Sequence, residues 1–282
     1  MPLVFVPTPL GNLRDVTLRA LDTLRDAELI VAEDTRVARK LLAALTIEAP
    51  EIWSYREQNA ARVTAGIVER ARVGLVAVTA DAGMPGISDP GSELVAAARA
   101  AGVTVEVLPG PSAALGVALL SGFPLARFRF EGFPPRASGA RRRVFAEALA
   151  SGVTTIWYES PRRIGAALAD LAAVAADARV FLVREYTKRH EEQLAGTPRE
   201  VSARLTEPVR GEVAFATAPY APASTADTMP SASEAIDALL ARGERVGDVA
   251  KALAARGLGD RQELYARAAA RKAARKTPIN KR

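Results

Sequence analysis

Four short segments of this chain combine residue types that could bind a small ligand, and each directly follows an apolar run. The segments are PTPLGN at 7–12, EDTR at 33–36, DAGMPGISDPG at 81–91 and PGPSA at 109–113. Proline fixes the backbone and glycine lets it approach a ligand closely. Each segment alone is typical of a turn or a helix cap. Their repetition after successive apolar runs favours a binding site that uses backbone amides and carbonyls together with carboxylates.

The second half of the chain adds two polar segments, YESPRR at 158–163 and REYTKRHEE at 184–192. They indicate either a solvated run of charge or a polar wall that faces the four segments above. The stretches FPPR at 133–136 and RRR at 141–143 provide basic side chains. These arginines could contact phosphates, or they could form an exposed helix end.

The elements that must position these segments alternate between strands and helices. Four runs rich in Val and Leu predict buried strands at 3–6, 29–32, 75–79 and 103–108. Four amphipathic segments predict helices at 15–25, 36–45, 60–72 and 92–101. Such alternation predicts a mainly parallel α/β sheet. Because ligands bind beyond the carboxyl ends of parallel strands, we expect the four segments to meet at one edge of the sheet.

A second alternating series follows a junction that contains Gly122 and Pro124. Its predicted strands are 128–132, 154–158, 180–184 and 212–217, and its predicted helices are 141–150, 163–175 and 198–205. Three short helices are predicted at 234–242, 246–256 and 260–271. We therefore expect an α/β domain at 1–121, a second at 122–218, a linker rich in Ala, Pro, Ser and Thr at 219–233, and a basic helical module and tail at 234–282.

Charge is distributed unevenly along the 282 residues. The formal net charge is +6, yet residues 242–282 hold 12 Lys or Arg against 4 Asp or Glu, which leaves a net of −2 for the rest. A basic appendage on a nearly neutral body suggests attraction to a polyanion such as RNA, although it could also serve as a solubilising tail.

Several functional classes are disfavoured by what the sequence lacks. It has no cysteine and a single histidine, His190, which we expect at the surface, so no metal site is expected. Neither a G-x-G-x-x-G after the first strand nor a P-loop motif is present. No apolar run approaches the roughly 20 residues of a membrane span, and residues 1–5 do not resemble a signal peptide. A cytoplasmic protein is expected.

The motifs together resemble those of the ribosomal RNA small-subunit 2′-O-methyltransferase I family, within the tetrapyrrole (corrin/porphyrin) methylases. The resemblance runs through nearly the whole chain in order and spacing. It rests on VPTPLGNLRDVTLRAL at 6–21, AEDTR at 32–36, DAGMPGISDPG at 81–91, LPGPSA at 108–113, EGFPPR at 131–136, YESPRR at 158–163, REYTKRHEE at 184–192 and RGE at 210–212. The stretch ELYARA at 263–268 resembles the family's small C-terminal helical module.

The resemblance implies two α/β domains with S-adenosylmethionine in the cleft between them. It also implies a homodimer, and a cytidine ribose in 16S ribosomal RNA of the small subunit as the methyl acceptor. On this basis we expect the cofactor site to be lined by Pro9, Asp81, Ala82, Gly83, Ile87, Ser88, Ser112 and Ala113. An aspartate could accept hydrogen bonds from the cofactor's ammonium or ribose, and the small Ser112 and Ala113 would leave room for it.

A ribose hydroxyl is a poor nucleophile until its proton is removed, so a general base would help. The candidate bases are Glu33, Asp34, Glu159 and Glu185, with Arg36 and Lys188 available to hold phosphate or polarise the acceptor. The sequence does not rank them. It also leaves open three other functions: methylation of a tetrapyrrole ring carbon, methylation of a modified protein side chain, and RNA binding by a non-catalytic ribosome-assembly factor.

Overall fold

The first sheet is wholly parallel and lies within residues 3–107. In the computed structural model, which describes residues 2–205, 208–220, 232–255 and 257–276, its strand order is β3-β2-β4-β1-β5. The strands are β1 Leu3–Phe5, β2 Leu29–Ala32, β3 Glu51–Ser54, β4 Val76–Thr79 and β5 Val105–Val107. The predicted parallel α/β sheet is confirmed, and β3 is an addition that the sequence had not indicated.

Four helices cover the two faces of this sheet: α1 Leu18–Asp26, α2 Thr35–Ala44, α3 Ala60–Val73 and α4 Ser92–Ala100. Leu24 of α1 and Leu42 of α2 pack into one core cluster, whereas Ile67 of α3 and Leu94 of α4 pack into another. The predicted helix at 15–25 begins later than expected, because residues 13–15 form a 3₁₀ turn and Thr17 caps α1 by accepting a hydrogen bond from the N–H of Ala20 (3.1 Å).

The neighbouring strands β1 and β4 lead to helices on opposite faces of the sheet. Helix α1, which follows β1, packs into one core cluster, and α4, which follows β4, packs into the other. Their connections therefore diverge at the carboxyl edge of the sheet. This divergence is the topological switch point at which α/β sheets bind ligands.

The second sheet is mixed, with the order β6-β7-β10-β8-β9. Its strands are β6 Phe128–Gly132, β7 Thr154–Glu159, β8 Val180–Arg184, β9 Glu192–Gly196 and β10 Val213–Thr217. Only β6 and β7 pair in parallel, and β10 inserts antiparallel between β7 and β8. Helix α5 (Ala113–Leu120) packs on one face, and helices α6 (Ser138–Ala150), α7 (Ile164–Val174) and α8 (Pro198–Arg204) pack on the other.

Arg141 of α6 is not the phosphate contact or exposed helix end that the sequence suggested. Its side chain is buried, and its Nε donates to Oδ2 of Asp170 on α7 at 2.8 Å. Ser138 and Arg142 donate to the other carboxylate oxygen of Asp170 at 2.8 and 2.7 Å. With Nη2 of Arg141, which donates to the same Oδ2, Asp170 accepts from four donor atoms of three side chains. Its charge is thus satisfied within the protein, so this cluster joins α6 to α7 rather than serving a ligand.

The chain divides into two compact units, Met1–Ala221 and Pro222–Arg282. The second unit contains α9 (Ala232–Ala241), α10 (Val246–Ala255) and α11 (Arg261–Lys276), packed around Ile236, Val249, Leu253 and Leu264. The predicted boundary near 121 stays a prediction, and most of the predicted linker, residues 221–231, lies outside the described residues, as does 277–282. Among the helices in the described ranges, none is long and apolar enough to cross a membrane.

Candidate active site

A cavity of about 380 Å³ lies at the carboxyl edge of the first sheet and is closed by strands of the second sheet. This volume is in the range of small-molecule sites. The first sheet's loops contribute Leu10, Asp81, Ala82, Gly83, Met84, Ile87, Ser88, Asp89 and Ala113, and the second half contributes Phe133, Tyr158, Glu159, Ser160, Pro161, Val183, Tyr186, Gly211, Glu212, Val213 and Ala214. The cavity therefore joins the loops after β1 and β4, as the switch point requires.

A pair of backbone hydrogen bonds clasps those two loops together. The N–H of Thr8 donates to the carbonyl of Gly83 at 2.9 Å, and the N–H of Gly83 donates back to Thr8 at 3.0 Å. Gly83 has φ +79°, and a Cβ on it would lie 2.9 Å from Leu10 Cδ2. Glycine is thus needed here both for the left-handed backbone and for the space beside Leu10.

The remainder of the 81–91 loop folds back on itself. Ser88 holds a left-handed backbone, φ +67°, in an exposed position on the cavity. A Cβ on Gly91 would lie 2.8 Å from the Cα of Gly86. Strained non-glycine residues persist where the surrounding structure holds them and are concentrated at functional sites. The loop is therefore built to present Ser88 and its neighbour Asp89.

The segment 109–113 ends at the start of α5, where it is tied to the second sheet. Ser112 precedes the helix, Ala113 lines the cavity, and the N–H of Ala114 donates to the hydroxyl oxygen of Tyr158 on β7 at 3.1 Å. Burial raises the pKa of the Tyr158 hydroxyl above its ordinary value, with the Ala114 N–H acting against the shift. Tyr158 therefore stays neutral and fixes the two walls of the cavity at one point.

Carboxylates from two loops of the first sheet come together beside the cavity. Burial, together with the negative charges of Glu33 and Asp81, raises the pKa of Asp89 to about 7. Burial and Asp81 likewise raise the pKa of Glu33. Asp34 behaves in the opposite way, because hydrogen bonds from Arg36 (Nε to Oδ1 at 3.0 Å, Nη2 to Oδ2 at 2.6 Å) hold its pKa well below the ordinary value.

Glu159 is the buried carboxylate of the opposite wall. It lines the cavity with its side chain fully shielded from solvent. Its Oε1 accepts the N–H of Ser160 at 2.7 Å, and its Oε2 lies 3.0 Å from Nη2 of Arg163 without a hydrogen bond. Glu159 and Arg163 therefore form an ion pair in this wall of the cavity.

A third charged group joins Glu185 and Lys188, which follow β8 and do not line the cavity, to Glu212, which does. Lys188 Nζ lies 2.9 Å from Glu185 Oε1 and 3.2 Å from Glu212 Oε2. Burial disfavours the charge of Glu185, yet Lys188 and the N–H of Glu212 hold its pKa below the ordinary value. A Cβ on Gly11 would overlap the Lys188 side chain, so the 7–12 segment packs directly on this group.

The structure brings half of the predicted site residues onto the cavity. Those that line it are Asp81, Ala82, Gly83, Ile87, Ser88, Ala113 and Glu159. Pro9 and Ser112 are chain neighbours of the lining residues Leu10 and Ala113. Glu33 lines a smaller cavity with Asp89, whereas Asp34, Arg36, Glu185 and Lys188 line neither. The roles assigned to these residues remain predictions.

The sequence reasoning missed Asp89 and most of the second wall. Asp89, Phe133, Tyr158 and Tyr186 all fall within motifs that were singled out, so their motif membership was the available signal. The residues of β8 and β10, such as Val183 and Ala214, lie in ordinary strands. No local pattern distinguishes them from other core positions.

Comparisons with known proteins agree with this geometry. The family model described as Tetrapyrrole (Corrin/Porphyrin) Methylases matches residues 2–202. The chain is 42% identical over 195 residues to the ribosomal RNA small subunit methyltransferase I of Thermotoga maritima, covering 69% of this chain and 87% of the relative. It is 39% identical over 267 residues to the protein of the same name from Mycobacterium tuberculosis, covering 93% of each.

Two solved structures share the fold. Diphthine synthase superposes with a TM-score of 0.62 at 17% identity, covering 77% of this chain and 90% of that protein. Uroporphyrin III C-methyltransferase from Thermus thermophilus gives a TM-score of 0.55 at 20% identity, covering 77% and 97%. At these identities the likeness establishes the architecture alone.

Proposed function

This chain belongs to the ribosomal RNA small-subunit methyltransferase I family of the tetrapyrrole (corrin/porphyrin) methylases, and from that premise we propose that it transfers a methyl group from S-adenosylmethionine to the 2′-hydroxyl of a cytidine ribose in 16S ribosomal RNA. The observation that carries the proposal is the cavity at the switch point, whose walls are the family's motif loops. A ribosomal substrate would place the protein in the cytoplasm.

The residues around this cavity fit the proposed cofactor. Gly83 lets the loop lie close to Leu10, where a Cβ would not fit, and Leu10 and Met84 would offer apolar surface to an aromatic base. The carboxylate of Asp81 accepts the N–H of Asp34 at 3.1 Å and also lines the cavity, where it suits an ammonium or ribose hydroxyls. When bound, the sulfonium supplies an electrophilic methyl group.

The chain's own contribution is orientation, exclusion of water and handling of the acceptor's proton. The Thr8–Gly83 clasp and the Ala114–Tyr158 hydrogen bond fix the two walls that hold the reactants. Such orientation can supply roughly 7–11 kcal/mol of a barrier in favourable cases. A general base adds typically about 10²–10⁴-fold.

Geometry separates the predicted bases. Asp34 and Glu185 have lowered pKa values because each is hydrogen-bonded to a cation, so these two are weak proton acceptors. Glu159 is paired with Arg163. Burial and the charge of Asp81 raise the pKa of Glu33, which makes it a better proton acceptor than Asp34 or Glu185. Arg36, whose side chain is 80% exposed, is better placed than Lys188 to meet a phosphate.

The direct test is methyl transfer with labelled S-adenosylmethionine and small ribosomal subunits that lack the modification, followed by mapping of the labelled nucleotide. We expect label on the 2′-oxygen of one cytidine. Label on a base, on protein or on an added tetrapyrrole would replace the proposed acceptor. A chain that binds subunits but takes up no S-adenosylmethionine would be a non-catalytic assembly factor instead.

We further propose that the basic unit Pro222–Arg282 anchors the RNA. On α11, Arg261, Tyr265 and Lys272 are exposed at spacings that share one face. Removing residues 222–282 is expected to weaken RNA binding at least about tenfold and to flatten its salt dependence, because each lost phosphate contact removes nearly one unit of slope. Affinity for S-adenosylmethionine should change less than about twofold.

Filter binding across a salt series, with calorimetry for the cofactor, would measure both effects. The double variant Arg261→Gln/Lys272→Gln should reproduce part of the loss. A matched control, Arg62→Gln/Arg99→Gln, changes the net charge equally at exposed positions of the first unit. RNA affinity that is insensitive to the deletion, or equally sensitive to the control, would contradict the anchoring role.

We propose that two copies of the chain form a homodimer through the outer face of α5. All eight residues of this helix, AALGVALL, are apolar or glycine. Its inner face packs on the second sheet through Val117 and Ala118, whereas Leu115 and Leu119 are 60% and 75% exposed. Exposed apolar surface of this kind marks interfaces, and a second copy of the chain is the partner that the family resemblance implies.

Leu119→Glu is expected to convert the dimer to a monomer, because it places a charge within the apolar contact. Sedimentation velocity would report the change. Val73→Glu is the matched control, since Val73 is 73% exposed at the end of α3. A wild-type chain that sediments as a monomer, or a control variant that dissociates equally, would refute this interface.

A further inference from the structure

Beneath the carboxylates lies a second, much smaller cavity of about 10 Å³. Its polar lining consists of Glu33, Asp89, Tyr55 and Thr79. Tyr55 is 3% exposed and Thr79 6%, and their hydroxyl groups have no hydrogen-bond partner among the described residues. Native proteins satisfy nearly all buried polar groups, often through a water molecule, and a cavity of this size holds about one water.

Asp89 connects this small cavity with the large one, because it lines both. Its carboxyl group and that of Glu33 both line the small cavity, and each affects the pKa of the other. The path from the large cavity through Asp89 and Glu33 to the buried hydroxyls is therefore polar throughout. The path reaches solvent at Glu33, which is half-buried and whose backbone carbonyl accepts from Nε of the exposed Arg56 at 2.8 Å.

We propose that Asp89 accepts the proton of the acceptor hydroxyl, and that Glu33 and one water held by Tyr55 and Thr79 carry this proton onward. The inference rests on the proposed function. The O–H bond of the acceptor breaks as its proton passes to the Asp89 carboxylate. The oxygen's electron pair forms the new bond to the methyl carbon, and the electrons of the broken carbon–sulfur bond return to sulfur. The positive charge that was on the sulfonium thus leaves the site as the relayed proton.

The charged surroundings of Asp89 fit this role. Asp81 and Glu33 face it from the loops after β4 and β2 and disfavour its ionisation. Tyr158 faces it from β7, and its own pKa is raised in part by Asp89. Arg56 and Asp34 act on Glu33 with opposite signs. The pKa of Asp89, about 7, matches the optimum for a base that works near neutral pH.

The pH dependence follows from that value. A base acts in its deprotonated form, so kcat/KM is expected to rise as pH increases towards 7 and to level off above it. Asp89→Asn should lower kcat about 10²–10⁴-fold and abolish this acidic limb, with the Kd for S-adenosylmethionine changed less than about twofold. If Asp89→Asn keeps wild-type kcat, the inference is overturned.

Tyr55→Phe tests the buried water separately from the base. Loss of the hydroxyl is expected to lower kcat roughly threefold to tenfold and to displace the acidic limb, without lowering the thermal midpoint, since the removed group is a buried hydroxyl without a protein partner. Tyr220→Phe is the matched control: its hydroxyl donates to Asp177 at 2.8 Å, outside both cavities, and kcat should be unchanged. Equal kcat for Tyr55→Phe and wild type would reject the relay.

A crystal structure supplies a readout that does not depend on activity. We expect electron density for one water within hydrogen-bond distance of Tyr55 Oη and Thr79 Oγ1. A dry cavity at a resolution that shows other ordered waters would overturn the relay. Failure of the wild-type chain to label any ribosomal subunit would instead overturn the proposed function, and the density alone would then decide whether the water site exists.

Discussion

Asp170→Asn is expected to lower the free energy of unfolding by about 3 kcal/mol, the largest stability effect that we predict for a single side chain. The substitution leaves Arg141, 6% exposed at its side chain, as an uncompensated buried charge. Breaking a buried pair in this way typically costs about 3–5 kcal/mol. The lower end of this energy range applies because the Arg142 side chain is 53% exposed, so solvent lies close to one side of the cluster.

The effect should depend on pH with a definite sign. Burial disfavours the charge of Asp170, but donation from Ser138, Arg142 and Arg141 holds its pKa below the ordinary value. A carboxylate with a lowered folded-state pKa stabilises the fold above its unfolded-state pKa, and this contribution is lost as pH falls through the folded-state value. Wild type and Asp170→Asn should therefore differ fully at pH 7 and converge as pH falls below about 4.

Urea unfolding at several pH values would measure this difference. Glu147→Gln is the matched control, since Glu147 forms an exposed pair with Arg143 at 3.9 Å on the same helix, and such pairs contribute about 0.5 kcal/mol or less. A loss below about 1 kcal/mol for Asp170→Asn, or a difference from wild type that does not change with pH, would show that the cluster is not a tight buried pair.

Gly83→Val is expected to weaken the binding of S-adenosylmethionine by about 100-fold. Valine introduces a branched side chain where a Cβ alone would lie 2.9 Å from Leu10 Cδ2, on the cavity wall. Overpacking of this kind costs about 1–3 kcal/mol of folding stability. The valine methyl groups would also occupy cavity volume that the cofactor needs, and a binding loss of about 3 kcal/mol corresponds to roughly a hundredfold change in Kd. The left-handed backbone at φ +79° adds a folding cost of about 1–2 kcal/mol.

Gly102→Val separates the two contributions. Gly102 follows the end of α4 with φ +72°, and a Cβ there meets nothing within 4 Å. Both variants should lose thermal stability through the left-handed backbone, and Gly83→Val should lose more because of its contact with Leu10. Only Gly83→Val should lose cofactor affinity in calorimetry. Comparable Kd values for the two variants would place the cofactor away from the clasp.

The first sheet was largely predictable because its strands are short, apolar and regularly spaced. The run at 29–32 coincides with β2, and helix α3 differs from its predicted range by one residue. Strand β3 was missed because it is an edge strand that begins with the exposed Glu51 and has no buried residue. Helix α5 was missed because a segment that is apolar on all sides shows no helical period.

The second sheet was less predictable because its pairing depends on distant residues. Phe215 of β10 pairs with Trp157 of β7 on one side and with Leu182 of β8 on the other. The polar strand β9, EQLAG, has little apolar pattern of its own. Neither feature can be read from a local window, because tertiary contacts decide strand order and direction.

The candidate site was also predictable only where the relevant signal is local in the sequence. The loops that line the first wall were located from their spacing after strands, which is a local property. The raised pKa of Asp89 was not predictable, since it arises from burial and from the charges of Glu33 and Asp81, which the fold brings together. Arg141 was misread for a similar reason: its partner Asp170 is 29 residues away, so the sequence showed the cation without its neutralising group.

The place of β10 in the second sheet also bears on when the protein can become active during its synthesis. This strand is the last of the first unit to leave the ribosome, yet it fills the gap between two strands made much earlier and supplies Val213 and Ala214 to the cavity. A nascent chain that stops before Val213 has the complete first sheet but lacks one wall of the cavity. Since domains fold as units while the chain emerges, cofactor capture is expected only after residue 217 has cleared the exit tunnel.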